Sequence, residues 1–325
     1  MGTALAILAA RAGASVTLWG RDPAFAAIIA STRENTKHLP EVPIPETIRI
    51  ESDCTRALAD ADLVIAAIPS AYLRATTEAI ASRRAIASSS TPVPILSVVK
   101  GIEFATFARA SEILHQTLGQ RPLAVLSGPS HAEEIARGLP ASVVVASDDQ
   151  PLAARIQLWL SQESFRVYTN SDVVGVELAG ALKNILGIAA GICEGLGFGD
   201  NAKAALLTRG LVEISRFAHA RGAQPSTFLG LAGVGDVITT CYSPFGRNRA
   251  LGWKIGQGDT LEEALEGSES VVEGVFTTRS VHALARKLGI DMPITAQVHA
   301  ILFERKPPRA TVSELMSRLP KMEWS

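Results

Sequence analysis

The sequence is short of the features on which several functional classes depend. It has three cysteines, Cys54, Cys193 and Cys241. They are far apart and odd in number, so neither a disulfide framework nor a CxxC metal site can be read from them, and a reducing cytoplasm is the expected location. The six histidines, His38, His115, His131, His219, His282 and His299, show no HExxH or HxxxH spacing, and no metal site is expected. Charge is scarce and balanced. Only 19% of residues are charged, with 31 Lys+Arg against 32 Asp+Glu and no long run of either sign. That excludes the electrostatic footprint of a nucleic-acid binder. The apolar opening TALAILAARAG is short, carries Arg11 and has no basic segment before it. It reads neither as a signal peptide nor as a membrane span, and no stable membrane insertion is expected.

What is present is core material. Hydrophobic residues make up 47% of the chain and the mean hydropathy is +0.21, which argues against disorder. A length of 325 residues is about twice the ~150 residues of a typical domain, so two domains are expected. Strand-like runs alternate with helical stretches through the first half: SVTLW, DLVIAAIP, PILSVVK, LAVLSGP, ASVVVAS and finally FRVYTN. This is the pattern of an α/β fold. Continuously apolar runs suit a parallel sheet with helices on both faces. After FRVYTN the chain becomes long Ala-, Leu- and Gly-rich helical stretches. The boundary is set at the Asn170-Ser171-Asp172 cluster, which supplies N-cap residues for a helix beginning VVGVELAG. This gives an α/β domain over 1–170 and an all-α domain over 171–325. The stretch ASSSTPVP (Ala87 to Pro94) reads as a loop before a strand.

Several residues are candidates for chemistry. Gly2 and Thr3 open a helix-like segment followed by the strand SVTLW, which is the back half of a βαβ unit. Gly2 suits the third glycine of a dinucleotide-binding turn, or an ordinary loop. Beyond that strand, Arg21 suits a ribose 2′-phosphate, while Arg21-Asp22 also reads as a surface ion pair at a helix start. Lys183 lies in the otherwise apolar ELAGALKNILGIAAG. Burial there would lower its pKa and fit it for proton exchange, unless its stem carries the charge out to solvent. Gly180 and Gly187 share its face and leave room for a ligand or another backbone.

SGPSHA, containing Gly128 and Ser130, stands between a strand and a helix and suits an anion or a plain turn. Lys100 closes a strand where α/β folds bind ligands, or is a solvated lysine. Asp236 sits in the Gly-rich LAGVGDVITTC as a functional carboxylate or an N-cap. Arg247 and Asn248 in FGRNR suit a phosphate or an oxyanion, or a solvated helix face.

Nine segments occur in a fixed order: GTALA, VTLWGRDP, AIPS, VVKGIE, SGPSHAEEIARGLPASVVVAS, GVELAGALKNILGIAAG, GLAGVGD, GRNR and VVEGV. Together they resemble the bacterial NAD(P)-dependent glycerol-3-phosphate dehydrogenase family, from Gly2 to about residue 305. The resemblance implies a Rossmann-type doubly wound sheet followed by an all-α domain. It also implies an oxidoreductase that interconverts dihydroxyacetone phosphate and sn-glycerol 3-phosphate with NADPH or NADH for glycerophospholipid synthesis. By the same resemblance Lys183 is catalytic and Asp236 supports it. Lys100, Gly128, Ser130, Gly246, Arg247 and Asn248 join them as substrate-binding positions. Gly2, Thr3, Arg21, Lys100, Ala132, Arg247, Val271 and Glu273 are cofactor-binding positions.

Gly246 departs from the family's usual Ser before Arg-Asn, so one phosphate hydrogen bond is either lost or made by the backbone N–H. The family's first strand and the GxG before Gly2 are not in this sequence. The expectation is therefore a truncated start, with Met1 an internal methionine and dinucleotide binding weakened. The expected partner is a small phosphorylated substrate, and a homodimer is left open. Two other readings are a related reductase of another small hydroxy or keto acid, and a nucleotide sensor without turnover.

Overall fold

The computed structural model describes residues 1–83, 92–267, 271–320 and 322–323. Up to Asn170 short strands alternate with helices, and among the described residues every regular element after it is helical. The strands are β1 (Thr17–Trp19), β2 (Glu34–Asn35), β3 (Leu39–Pro43), β4 (Arg49–Glu51), β5 (Val64–Ala66), β6 (Ile95–Ser97), β7 (Leu123–Ser127), β8 (Ala141–Ala146) and β9 (Phe165–Asn170). Each of the six strand-like runs in the sequence holds one of them. Most of the Ala87 to Pro94 loop, residues 87–91, lies outside the described residues.

The main sheet has the order β5-β6-β7-β8-β9. Its apolar runs follow from two-sided burial. In β7, Leu123 and Val125 face the core shared with the helical half, while Ala124 and Leu126 face the core under the Gly2–Arg11 helix. Val144 and Ala146 of β8 divide from Val143 and Val145 in the same way, as the two-residue period of a strand requires. The expectation of a parallel sheet needs one correction, because β8 runs antiparallel to β7 whereas the β5/β6, β6/β7 and β8/β9 pairs are parallel. The connection between β7 and β8 holds only the five-residue helix Ala132–Ala136. At about 1.5 Å per residue it is too short to carry the chain back along a strand.

β1 pairs in parallel with β4, Leu18 opposite Ile50, while β2 and β3 form a small antiparallel pair. Among the described residues β1 and β5 are not paired, and both border the same cleft.

The helical half is built around Val173–Gly195, a 23-residue helix. Asp172 caps it by accepting from the Gly175 N–H at 2.8 Å, and its second oxygen accepts from Thr227 Oγ1 at 2.6 Å. This helix is long and apolar enough to cross a membrane, yet 89% of its most apolar stretch is buried inside the fold. Its role here is that of a core helix. The Arg247–Gln257 helix crosses it in backbone contact. A Cβ on Gly191 would meet the carbonyl oxygen of Arg249, and one on Gly252 that of Ile188. The two halves are tied by Glu177, buried in the central helix. It accepts from the Ser111 N–H at 2.8 Å and from Arg109 Nη1 at 2.6 Å. Burial pushes its carboxyl pKa up, and Arg109 opposes that.

Candidate active site

The apolar helix does not let Lys183 reach solvent. The residue is 7% exposed, and its Nζ donates to Asp236 Oδ1 at 2.5 Å and to Thr240 Oγ1 at 2.6 Å. Asp236 opens the Asp236–Tyr242 helix without capping it. Its other oxygen accepts from Lys100 Nζ at 2.7 Å. Lys100 comes from the loop after β6 and donates also to the Gly128 carbonyl and to Ser130 Oγ, both at 3.0 Å. Gly128 has φ +117, and a Cβ there would stand 3.1 Å from Val143 Cα. Only glycine lets this turn press onto β8 and aim its carbonyl at Lys100.

Two ammonium groups thus share one buried carboxylate. Burial lowers the Lys183 pKa to about 8, with Asp236 opposing the shift and Lys100 adding to it. Burial alone would raise the Asp236 pKa, but Lys100 and Lys183 together hold its carboxyl below the usual range.

The room beside Gly180 and Gly187 is approached mainly by side chains, with the Arg249 backbone N also 3.9 Å from a Cβ on Gly187. A Cβ on Gly180 would lie 2.6 Å from Ser127 Oγ, and one on Gly187 would lie 2.8 Å from Thr240 Cγ2 and 3.1 Å from Asn248 Cβ. Gly187 thus lets the helix of Thr240, a partner of Lys183, pack close, and Gly180 does the same for Ser127 and the Lys100 stem. Asn184, next along the helix, donates to the Lys100 carbonyl at 3.0 Å and accepts from Asn248 Nδ2 at 2.9 Å. Asn248 Oδ1 in turn accepts from the Gly274 N–H at 2.9 Å. Arg247 is exposed and donates to the Val271 carbonyl at 2.9 Å. Glu273 accepts from the Ser70 N–H at 2.8 Å and from its hydroxyl. Burial pushes the Glu273 pKa up, while Ser70 and Arg247 oppose the rise.

Gly246 precedes the Arg247–Gln257 helix, and a Cβ there would stand 2.7 Å from the Thr240 carbonyl oxygen. Its N–H donates to the Ser243 carbonyl at 3.2 Å. Asp22 caps the Pro23–Thr32 helix through the Ala24 and Phe25 N–H groups, while Arg21 lies over the Tyr72 ring at 5.8 Å. Of the two readings offered for Arg21-Asp22, the surface ion pair gives way to this cap and this stack.

One cleft of about 2700 Å³ gathers most of these groups. Gly2, Thr3, Arg21 and Ala132 line it, as do Arg247, Val271 and Glu273. Lys100, Ser130, Lys183, Gly246 and Asn248 line it as well. Gly128 and Asp236 stand behind that wall, joined to it through Lys100 and Lys183. The residues present fit a dinucleotide. The Gly2–Arg11 helix turns its start toward the cleft, and a Cβ on Gly2 would stand 3.3 Å from that of Ala67, so backbone N–H groups are accessible to an anion there. The Thr3 hydroxyl accepts from Asn35 Nδ2 at 2.8 Å. Among the described residues no group of three or more His, Cys, Asp or Glu is placed to hold a metal ion.

Three site residues escape the sequence reading. Asn184 carried a signal, being a second polar residue in an apolar helix beside Lys183. Thr240 carried another, lying four residues after Asp236 on the same helix face. Ser70 stands in the AIPS segment, but nothing local marks its pairing with Glu273, 203 residues away.

Comparison with known proteins places the chain among named relatives. Residues 1–153 match the family described as NAD-dependent glycerol-3-phosphate dehydrogenase N-terminus, and residues 172–313 match the corresponding C-terminus. The chain is 47% identical over 325 aligned residues to the glycerol-3-phosphate dehydrogenase [NAD(P)+] of Chlorobium phaeobacteroides strain BS1, covering 99% of this chain and 96% of that one. It is 46% identical to the enzyme of the same name from Streptomyces coelicolor, covering 99% and 95%. The crystal structure of glycerol-3-phosphate dehydrogenase from Coxiella burnetii superposes with a TM-score of 0.91 at 38% identity, covering 97% of this chain and 95% of that one.

Proposed function

Because the chain belongs to the NAD-dependent glycerol-3-phosphate dehydrogenase family, we propose that Lys183 transfers the proton, that Asp236 holds and tunes it, and that Arg247 and Asn248 grip the substrate phosphate. The chain is an oxidoreductase that interconverts dihydroxyacetone phosphate and sn-glycerol 3-phosphate with NADH or NADPH, a reaction that serves glycerophospholipid synthesis. In this reading residues 1–170 take the dinucleotide and residues 171–325 supply the substrate side. Its location is the cytoplasm, which the three free cysteines suit.

The observation that carries the assignment is the Lys100–Asp236–Lys183 charge set at the cleft wall. Gly2, Thr3, Arg21, Ala132, Val271 and Glu273 would hold the dinucleotide, with Lys100 and Arg247 reaching both ligands. When bound, its nicotinamide supplies the hydride that reduces the substrate's C2 carbonyl. Lys183, as an ammonium, donates a proton to the C2 oxygen as charge develops there. In the oxidative direction neutral Lys183 accepts the hydroxyl proton. Asp236 fixes the ammonium in place, and Thr240 gives it a second hydrogen bond, so it is already oriented when the substrate enters. The Arg247 fork and the Asn248 amide fix the far end of the substrate.

The test is absorbance of NADH and NADPH with dihydroxyacetone phosphate and, in parallel, with ketopantoate, a keto acid without a phosphate. Consumption confined to the phosphorylated ketone is expected. Equal turnover of both substrates would overturn the phosphate grip.

A further inference from the structure

His131 stands between Ser130 and Ala132 in the turn that faces Lys100. It occupies the N-cap position of the Ala132–Ala136 helix, yet its side chain makes no cap bond. Its Nε2 is buried and has no hydrogen-bond partner. Buried ring nitrogens are normally satisfied, and one left open at a ligand cleft points to a partner that arrives with the ligand. The ring lies 5.9 Å from that of Phe245, tilted by 56°. Both rings line the cleft with Ser130, Arg247 and Asn248.

Phe245 is 40% exposed and directly precedes Gly246, Arg247 and Asn248, so His131 borders the end of the cleft assigned to the phosphate. At that end Gly246 offers no side-chain donor, and its N–H donates to the Ser243 carbonyl. The imidazole is suited to donate as a neutral group. Burial lowers its pKa and Lys183 adds to that, against Glu133, Glu134 and Asp236.

We propose that His131 is a substrate-binding residue whose Nε2–H donates to the substrate phosphate, at the position where its ring now meets Phe245. This rests on the assignment of Arg247 and Asn248 to the phosphate. A hydrogen bond to a charged oxygen sets the size of the effect. His131→Leu should raise KM for dihydroxyacetone phosphate by ~10-fold or more while changing kcat much less. With dihydroxyacetone, which has no phosphate, kcat/KM should change less than about twofold on the same scale. His131→Gln, which keeps a side-chain donor, should recover most of the loss.

An equal loss with both ketones, or an unchanged KM for the phosphorylated one, would overturn the proposal. Should the leucine variant fail to fold, titration of the ¹⁵N-histidine-labelled wild-type chain with glycerol 3-phosphate decides the matter. The ring nitrogen signal that is missing in the glutamine variant must move on titration, and a signal that stays in place rejects the contact. Arg247→Lys, assayed beside it, separates the two claims. A phosphate-specific loss in that variant with none at His131 removes His131 alone. A loss indifferent to phosphate removes the grip itself.

Discussion

Lys183 is the residue to which the proposed mechanism gives the proton. Lys183→Met keeps the length and apolar character of the buried stem and removes the proton. Turnover of dihydroxyacetone phosphate should therefore fall at least ~10²-fold, the scale of general acid–base catalysis, while the far-ultraviolet circular dichroism stays that of the folded chain. The pKa of about 8 fixes the sign of the pH dependence in the wild type. Below it the ammonium predominates and reduction has its proton donor. Above it the amine predominates and oxidation has its base. kcat/KM for glycerol 3-phosphate oxidation should accordingly rise with pH through about 8, and kcat/KM for the reduction should fall. A profile with no inflection in either direction would remove Lys183 from the proton-transfer role.

At the scale of elements, what could be read in the sequence follows from burial. Strands such as β7 and β8 are buried on both faces, so their apolar runs stood out, and Lys183 stood out because everything around it is apolar. Periodicity is blind to direction, which is why the reversal of β8 was not visible. β2 and β4 are two and three residues long and, unlike the equally short β5 and β6, lie in no apolar run that would mark them. The site divides along the same line. Lys100, Asp236, Arg247 and Asn248 lie in motifs with local signals; Glu273 and Ser70 lie in VVEGV and AIPS, but their pairing with one another rests on tertiary contact alone. The glycine-to-backbone crossing of Val173–Gly195 and Arg247–Gln257 yields a prediction at this scale. Gly252→Val would drive a side chain into the Ile188 carbonyl. Overpacking of this kind should cost about 2 kcal/mol or more. The melting temperature should drop, and KM for dihydroxyacetone phosphate should rise because Asn248 rides on the displaced helix. An unchanged melting curve would mean the helices part freely.

For the whole molecule, the joint between the halves is polar as well as apolar. Glu177 binds Ser111 and Arg109 across it, with side-chain exposures of 5% for Glu177 and 15% for Arg109. Glu177→Ala would strand the guanidinium at the joint, although Glu112 retains a hold on it at 3.0 Å. Breaking a buried pair costs about 3–5 kcal/mol, and that remaining contact places the expected loss near the lower end. Chemical denaturation should report it as a lower midpoint, and a variant with the wild-type midpoint would show the joint to be held by apolar contacts alone.

The sharing of Asp236 by two lysines has one more consequence. Lys100 arrives from the sheet and Lys183 from the central helix, so the acidity of the proton donor is a property of the docked pair of halves rather than of either alone. Drawing Lys100 away would remove the like charge that depresses the Lys183 pKa and leave the carboxylate that raises it. Lys183 would then hold its proton more tightly and become a poorer donor. The acidity of Lys183 therefore depends on Lys100 from the one half as well as on burial and Asp236 in its own.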